Sequence, residues 1–138
     1  MQRRPKSAVT REFTGGTIKG AVLQVGGVLY PTAPDNVWAI DALAGREIWH
    51  YSRPRTRNLT GNAAGGINRG VGIAGDRVFM VTDHAHIIAL NRFTGALVWE
   101  YVMPRQPAAT PMTYLHRGRQ FIVVAIGAGD DAELMAFS

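Results

Sequence analysis

Three observations on this 138-residue chain predict an all-β fold made of repeated antiparallel sheets. First, residues 28–51 align with residues 78–101 without a gap, at a constant offset of 50 residues. Second, each copy reads as short apolar strands separated by polar or glycine turns. Third, Trp49 and Trp99 recur at matched places, each four residues after a glycine. Repeats of this length, built from short strands, are typical of β-propeller blades.

The first copy, residues 14–52, is predicted to form one four-stranded blade. Its strands are predicted at residues 20–25, 28–30 and 37–40 and in a last strand that ends in Trp49. Gly45 closes the turn before that last strand, because glycine readily adopts the positive φ that tight turns often need. Tyr51 and Trp49 match aromatic residues in the second copy, which indicates that they pack between blades.

The second copy, residues 68–101, repeats this pattern after a loop rich in glycine and arginine at residues 53–67. Its strands are predicted at residues 68–73, 78–82 and 87–90 and in a last strand that ends in Trp99. Trp38 of the first copy lies where the second copy has Ile88, so it is interpreted as a core or blade-interface residue.

A third, incomplete blade is predicted over residues 102–138. Its strands are residues 121–126 and 133–138, and an upstream strand joins them through a hairpin at Arg117-Gly118. No glycine and tryptophan strand follows. The basic N-terminal tail, residues 1–13, contains a candidate closing strand at residues 9–13 that would fill this place.

Three blades are fewer than the four to eight of a closed propeller. The prediction is therefore an incomplete propeller of about three four-stranded antiparallel sheets within a single domain. Exposed sheet edges predict a homo-oligomer, or a partner chain that supplies the missing blades.

Composition limits the remaining function classes. The formal charge of +5 favours anionic partners, but the basic residues cluster in the N-terminal tail and at residues 53–57, which is typical of solvated segments. No exposed aromatic residues alternate with these arginines, so no nucleic-acid partner is predicted. The absence of cysteine excludes disulfides and thiolate metal sites. No run is apolar enough for a membrane helix or a secretory signal, which predicts a cytoplasmic protein if the chain is expressed as written.

Two further motifs favour structural interpretations. Asp83, His84 and His86 could form a weak divalent site, but they align with a turn in the first copy and no third strong ligand is evident, so no metal site is predicted. Residues 127–131, GAGDD, could form a phosphate loop, but no helical pattern follows them, and a turn is predicted instead.

The segments AIDALAGREIW (39–49) and ALNRFTGALVW (89–99) resemble the tryptophan-docking repeat of the PQQ-dependent (quinoprotein) alcohol dehydrogenases. Residues 14–101 resemble the first two blades of that family, and residues 108–138 resemble its last blade. The resemblance implies an alcohol-oxidising ancestry, pyrroloquinoline quinone (PQQ) with calcium as cofactors, and a periplasmic location.

The same resemblance suggests a cofactor-binding segment. In the family, two adjacent cysteines followed closely by Asn-Arg-Gly lie over the cofactor; here Ala63 and Ala64 take the cysteine places and Asn68-Arg69-Gly70 the others. Asn68 and Arg69 are thus the implied cofactor-binding residues, with Arg69 pairing with a PQQ carboxylate. A guanidinium group suits that role because it binds a carboxylate through two parallel hydrogen bonds.

Departures from the family limit the predicted chemistry. Ala63 and Ala64 cannot form the disulfide, and Lys19 stands where the family tends to carry an acid. The family's calcium ligands and catalytic aspartate belong to central blades that have no counterpart here, so no catalytic or metal-binding residue is predicted. The prediction is a truncated quinoprotein dehydrogenase-like propeller that retains part of a PQQ surface. The alternative is a noncatalytic propeller-repeat scaffold that self-assembles or binds a protein partner.

Overall fold

The computed structural model describes residues 12–13, 17–59 and 67–138. Three antiparallel sheets make up this part of the chain, and its only helical element is a 3-10 turn at Gly129–Asp131. The all-β, propeller-blade fold class predicted from the sequence is confirmed. The described part of the chain contains no helix that is long and apolar enough to span a membrane.

The first sheet follows the predicted meander. It contains β1 (Leu23–Val25), β2 (Val28–Tyr30), β3 (Thr32–Ala33), β4 (Asn36–Asp41) and β5 (Glu47–Ser52). β2 and β3 both pair with β4 and are two parts of one strand, interrupted at Pro31. Proline has no N–H group to donate to the ladder, so the strand breaks there.

The second sheet repeats the first at the level of the backbone. It contains β6 (Gly72–Ala74), β7 (Arg77–Val81), β8 (His86–Asn91) and β9 (Leu97–Val102), hydrogen-bonded in that order. The register of the third strand shifts between Ala39 and Ile40 in the first sheet and between Ala89 and Leu90 in the second. The offset of 50 residues therefore reproduces even the irregularity of the ladder.

Polar residues form the turn between the third and fourth strands in both sheets. Asp41 Oδ1 accepts two backbone N–H groups at 2.9 Å, and Asn91 Oδ1 accepts the matching pair at 2.9 and 3.1 Å. Gly45 and Gly95 then adopt φ of 71° and 75°, as predicted. The hydrogen bonds from the N–H groups of the turn lower the pKa of Asp41.

The third sheet contains β10 (Met112–His116), β11 (Arg119–Ile126) and β12 (Glu133–Phe137). Arg117 and Gly118 form the predicted hairpin turn with φ of 49° and 76°. β12 is an edge strand, because no other described residue pairs with its outer side. Strand bounds alone do not fix blade boundaries, so the predicted division of the chain into ranges stays a prediction.

Some strand ends differ from the prediction. β1 and β6 begin later than expected, because the residues before them form a separate connection in which Ala21 N–H donates to the Arg69 carbonyl at 3.1 Å. β5 and β9 continue three residues beyond their tryptophans, because β4 and β8 offer ladder partners along their full length.

Two apolar cores join the three sheets. The first lies between the first and second sheets and contains Tyr30, Val37, Trp49, Met80, Ile88 and Leu90. The second lies between the second and third sheets and contains Ile87, Met103, Val124 and Ile126. Trp38 is 2% exposed, on the outer face of the first sheet, which confirms its structural role.

The predicted closing strand, residues 9–13, falls largely outside the described residues. Its last residue, Phe13, packs against Trp38 on the first sheet, with ring centroids 4.9 Å apart in an edge-to-face arrangement. Glu12 and Phe13 do not form a strand.

Candidate functional site

A cavity of about 130 Å³ lies at one end of the three sheets. Its wall is built from the turns after β3 and β7 and from the connections that lead into β6 and β10. Asn68 and Arg69, the two residues implied by the family resemblance, both line it. The structure thus places them at a concave surface shared by all three sheets.

Asn68 holds the backbone of the loop. Its side chain is buried; Nδ2 donates to the Val81 carbonyl at 3.1 Å, and Oδ1 accepts the Gly70 N–H at 3.0 Å. Gly70 has φ of 130°, and a side chain there would lie 2.9 Å from the Ala21 carbonyl oxygen. Asn68 and Gly70 together fix the position of the residue between them.

Arg69 is held by its backbone and presents its side chain. A Cβ atom at Gly20 would lie 2.3 Å from the Arg69 carbonyl carbon, so the two segments approach too closely for any residue other than glycine. The side chain is exposed, and its guanidinium group makes no hydrogen bond or ion pair with any residue in the described ranges. It can therefore bind an anion at the cavity without first breaking a described contact.

Two carboxyl groups that sequence reasoning did not bring together also line the cavity. Asp35 Oδ1 accepts the Asp83 N–H at 2.9 Å. The Asp83 carboxylate accepts the N–H and the hydroxyl of Thr56, each at 2.9 Å. Arg55 lies beside both acids, 3.7 Å from Asp35 Oδ2 and 3.4 Å from Asp83 Oδ2. This group ties the first sheet to the second at the cavity wall.

The two acids titrate in opposite directions. Burial, reinforced by the neighbouring Asp83 carboxyl, raises the pKa of Asp35 to about 7. Burial alone would raise the pKa of Asp83 as well, but hydrogen bonds from Asp35 and Thr56 outweigh it and lower the value. Between the lowered pKa of Asp83 and the raised pKa of Asp35, the pair therefore holds one proton, on Asp35, and one negative charge, on Asp83.

A sequence signal for Asp35 existed. Asp35 is the only charged residue between residues 30 and 40. In the structure it is 1% exposed and has φ of 57°. Asp83 was considered only with His84 and His86, but its carboxylate contacts Thr56 and Arg55 instead. No set of three or more His, Cys, Asp or Glu side chains among the described residues is arranged to hold a metal ion.

The remaining predicted positions lie elsewhere. Ala63 and Ala64 fall outside the described residues. Lys19 is exposed. Residues 127–131 form a turn that includes the 3-10 segment, as predicted.

The size of the cavity limits which part of PQQ it fits. Pockets that bury a drug-sized ligand have volumes of roughly 300–1,000 Å³, so about 130 Å³ suits one carboxylate arm better than the whole tricyclic molecule. An unengaged guanidinium is the donor that such an arm needs. The described residues therefore fit one side of the cofactor.

Comparison with known proteins agrees with the fold and the repeat. The sequence profile of a family described as outer membrane protein assembly factor BamB matches residues 33–138. Quinoprotein ethanol dehydrogenase from Pseudomonas putida is 36% identical over 88 residues, which cover 63% of this chain and 14% of that protein. The 1-butanol dehydrogenase (quinone) of Thauera butanivorans is 38% identical over 91 residues, with the same coverages.

A solved structure shows the same relationship. The quinohemoprotein alcohol dehydrogenase ADHIIG from Pseudomonas putida HK5 superposes with a TM-score of 0.64 and 27% identity, over 81% of this chain and 17% of that one. The chain thus spans about one seventh of the length of the curated relatives that it matches. The chain belongs to the family described as outer membrane protein assembly factor BamB, whose profile covers residues 33–138. It is homologous to the quinoprotein alcohol dehydrogenases.

Proposed function

We propose that this chain forms part of the cofactor-facing surface of a quinoprotein-type propeller, with Arg69 binding a carboxylate of PQQ. The observation that carries the proposal is an exposed guanidinium, without a described partner, on the wall of a cavity. Asn68 supports it as a positioning residue, because its side-chain hydrogen bonds hold the loop that presents Arg69. Two homologous proteins are a quinoprotein ethanol dehydrogenase and a 1-butanol dehydrogenase (quinone).

PQQ, when bound, supplies a quinone that accepts electrons from an alcohol. The residues of this chain bind and orient such a ligand at its carboxylate side. Arg69 offers a planar pair of N–H donors. Arg55 lies between two acids and offsets the negative charge of Asp83 in the cavity wall.

We do not propose that the described residues oxidise an alcohol by themselves. That reaction needs a general base and a metal ion placed together. No metal-binding group of three occurs in the described ranges. Asp83 is engaged by Thr56 and Arg55, and Asp35 Oδ1 accepts the Asp83 N–H. A periplasmic location, which the resemblance implies, is part of this proposal.

Binding of PQQ tests the role of Arg69. The protein is titrated with PQQ, with and without Ca²⁺, while cofactor fluorescence is followed; Arg69→Ala and, as a matched control, the exposed turn residue Arg46→Ala are titrated alongside. A hydrogen bond to a charged group contributes about 1.5–3 kcal/mol, so Arg69→Ala is expected to weaken binding by roughly 10- to 100-fold. Arg46→Ala should bind as the parent does. Equal binding by all three proteins, or binding by none, contradicts the proposal.

A second candidate function is a noncatalytic scaffold that self-assembles. It is favoured by an apolar groove on the outer face of the first sheet, lined by Phe13, Leu29, Ile40 and Leu43. Leu43 is 95% exposed. If the third sheet of each copy packed onto this groove of the other copy, the dimer would contain six sheets. Light scattering over a range of concentrations tests it: a dimer that Leu43→Glu dissociates supports the scaffold, and a monomer at all concentrations contradicts it.

A further inference from the structure

The turn between the third and fourth strands carries an exposed apolar side chain in both the first and the second sheet. Leu43 in the first sheet is 95% exposed, and Phe93, at the matching place in the second, is 62% exposed. Turns of this kind usually carry glycine or small polar residues. Neither Leu43 nor Phe93 belongs to one of the apolar cores of the described residues. These two side chains therefore do not serve the packing of the sheets.

Phe93 shows that this exposure is a property of the turn itself. The first sheet packs against the Phe93 turn, because Trp49 Nε1 donates to the Arg92 carbonyl at 2.9 Å and the Trp49 ring lies on Gly95. Phe93 lies between these two contact points in the sequence and still remains exposed, with the Arg92 guanidinium 4.5 Å from the centre of its ring. The tip thus projects beyond a neighbouring sheet that is in place. The repeat gives Leu43 the same position.

Both tips lie at the end of the sheets opposite the cavity. β4 leads from the Asp35 turn in the cavity wall to the Leu43 turn, and β8 leads from the Asp83 turn to the Phe93 turn. The β1–β2, β6–β7 and β10–β11 turns point the same way, because antiparallel strands alternate in direction. Three glycines in these turns have nothing within 4 Å of an added Cβ atom: Gly27, Gly75 and Gly118. We call these five turns, residues 26–27, 42–46, 75–76, 92–96 and 117–118, the turn end.

The turn end is positively charged. Its five turns contain one acid, Asp76, whose carboxylate lies 3.2 Å from Arg77. The same turns contain three arginines: Arg46, Arg92 and Arg117. In the strand residues directly beside the turns, Arg77 and Arg119 balance Asp41 and Glu47. Projecting apolar tips and an excess of arginine therefore occur together at this end.

We infer that the turn end binds the surface of an anionic lipid bilayer, with Leu43 and Phe93 inserted among the headgroups and the arginines against the lipid phosphates. Basic residues close to an anionic leaflet attract it, and a guanidinium group binds phosphate through two hydrogen bonds. Separate apolar tips suit a soft interface, whereas a protein partner usually meets one continuous apolar patch. A second copy docked through the same end would bring like charges together. In this orientation the cavity faces away from the bilayer.

Flotation with unilamellar vesicles tests this inference. The full chain is mixed at low salt with vesicles made of equal parts of phosphatidylglycerol and phosphatidylcholine, or of phosphatidylcholine alone. We expect binding to the anionic vesicles to be at least about tenfold stronger, because each basic residue near an anionic surface contributes roughly a factor of five. Sodium chloride at about 0.5 M should weaken this binding, because salt screens the attraction.

Two double variants separate the apolar tips from the charges. Leu43→Ser combined with Phe93→Ser is expected to weaken binding to the anionic vesicles at least about tenfold, because both apolar side chains are lost. Leu134→Ser is the matched control, since Leu134 is 78% exposed but lies at the cavity end of β12, and it should bind as the parent does. Arg46→Gln combined with Arg117→Gln should also weaken binding at least about tenfold. Circular dichroism verifies that each variant is folded.

Equal binding to the two kinds of vesicle, or binding to neither, overturns the inference. Loss of binding in the arginine variant alone also overturns it, because the turn end would then be a general anion-binding surface that suits an acidic protein. A dimer in vesicle-free solution that the serine variant dissociates would assign the tips to a contact between copies and overturn it as well. PQQ takes no part in these measurements, so their failure leaves the proposed cofactor role unchanged.

Discussion

The junction between the first and second sheets differs from the junction between the second and third, although both are built from the same repeat. At the first junction Trp49 is held by a backbone carbonyl and by the flat face of a glycine. At the second junction the described ring contacts of Trp99 are with Tyr101 and Phe137, and Trp99 keeps a large exposed fraction. The same residue in the same strand position thus has two different environments.

This difference shows that the burial of the tryptophan in one sheet depends on the turn of the next sheet. The fourth strand of each sheet is ordered within its own ladder in both cases. Burial of its aromatic residues comes from the following sheet. Stability in this chain is therefore a sum of sheets and of junctions between neighbours, as in other repeat proteins.

Substitution of each tryptophan by alanine should give the largest difference in unfolding free energy between the two junctions. Trp49→Ala is expected to cost about 3–5 kcal/mol, because it leaves a cavity in the first core and an unpaired carbonyl. Trp99→Ala is expected to cost about 1 kcal/mol or less, since the ring is already partly in water. Urea unfolding of the two variants measures both values. Equal losses would mean that the two junctions contribute alike and that the comparison is wrong.

Substitution of the glycine under Trp49 should have the next largest effect. Gly95→Ala combines a left-handed φ with a Cβ atom 2.7 Å from the indole, and we expect a loss on the order of 3 kcal/mol. Gly75→Ala is the matched control: its φ is 54°, but nothing lies within 4 Å of an added Cβ. That variant should lose only about 1 kcal/mol, from backbone strain. Thermal or urea unfolding of the pair separates the docking contact from the strain.

Much of the fold could be predicted because the sequence repeats itself. The offset of 50 residues and the alternation of apolar strands and turns indicated the sheets, and the matched Trp49 and Trp99 indicated that they are related. The different exposure of those two residues could not be predicted, because it depends on what the third sheet presents to the second. A local pattern carries no information about that neighbour.

The sequence indicated residues of the candidate site only where a loop motif marked them. Asn68 and Arg69 lie side by side in the sequence and were implied by resemblance; their cofactor-binding role stays a prediction. Asp35 and Asp83 are far apart in sequence and meet only because two equivalent ends of neighbouring sheets come together. The raised pKa of Asp35 is a consequence of that burial. Such a pair is visible only after the sheets have been packed.

The acid pair also distinguishes the two junctions. Asp35 corresponds by the repeat to Ala85, which has nearly the same φ, 55° against 57°. The Ala85 N–H donates to Gln106 Oε1 at 3.1 Å, so a neutral amide stands at the second junction where a titratable pair stands at the first. The acid pair should therefore make the first junction respond to pH near neutrality.

Stability should fall as the pH rises through the range in which native Asp35 loses its proton. Between the ordinary value of 3.8 and the native pKa of about 7, the folded chain keeps a proton that the unfolded chain has released, so folding is favoured at the acidic end. We expect this group to remove on the order of 1–2 kcal/mol between pH 5 and pH 7, since each pKa unit corresponds to about 1.4 kcal/mol. Urea unfolding at pH 5, 6 and 7 measures it.

Asp35→Asn isolates this contribution, because the amide keeps the size of the side chain and does not titrate. Burial lowers the pKa of His50, which gives an opposite slope that the parent and the variant share. The free energy of unfolding of the parent, minus that of the variant, should therefore decrease steadily from pH 5 to pH 7. Asp130→Asn, an exposed acid in the 3-10 turn, should leave the profile unchanged. If the parent and Asp35→Asn have parallel profiles of unfolding free energy against pH, native Asp35 holds no proton in this range. The greater stability expected of the first junction would then come from the docked Trp49 alone.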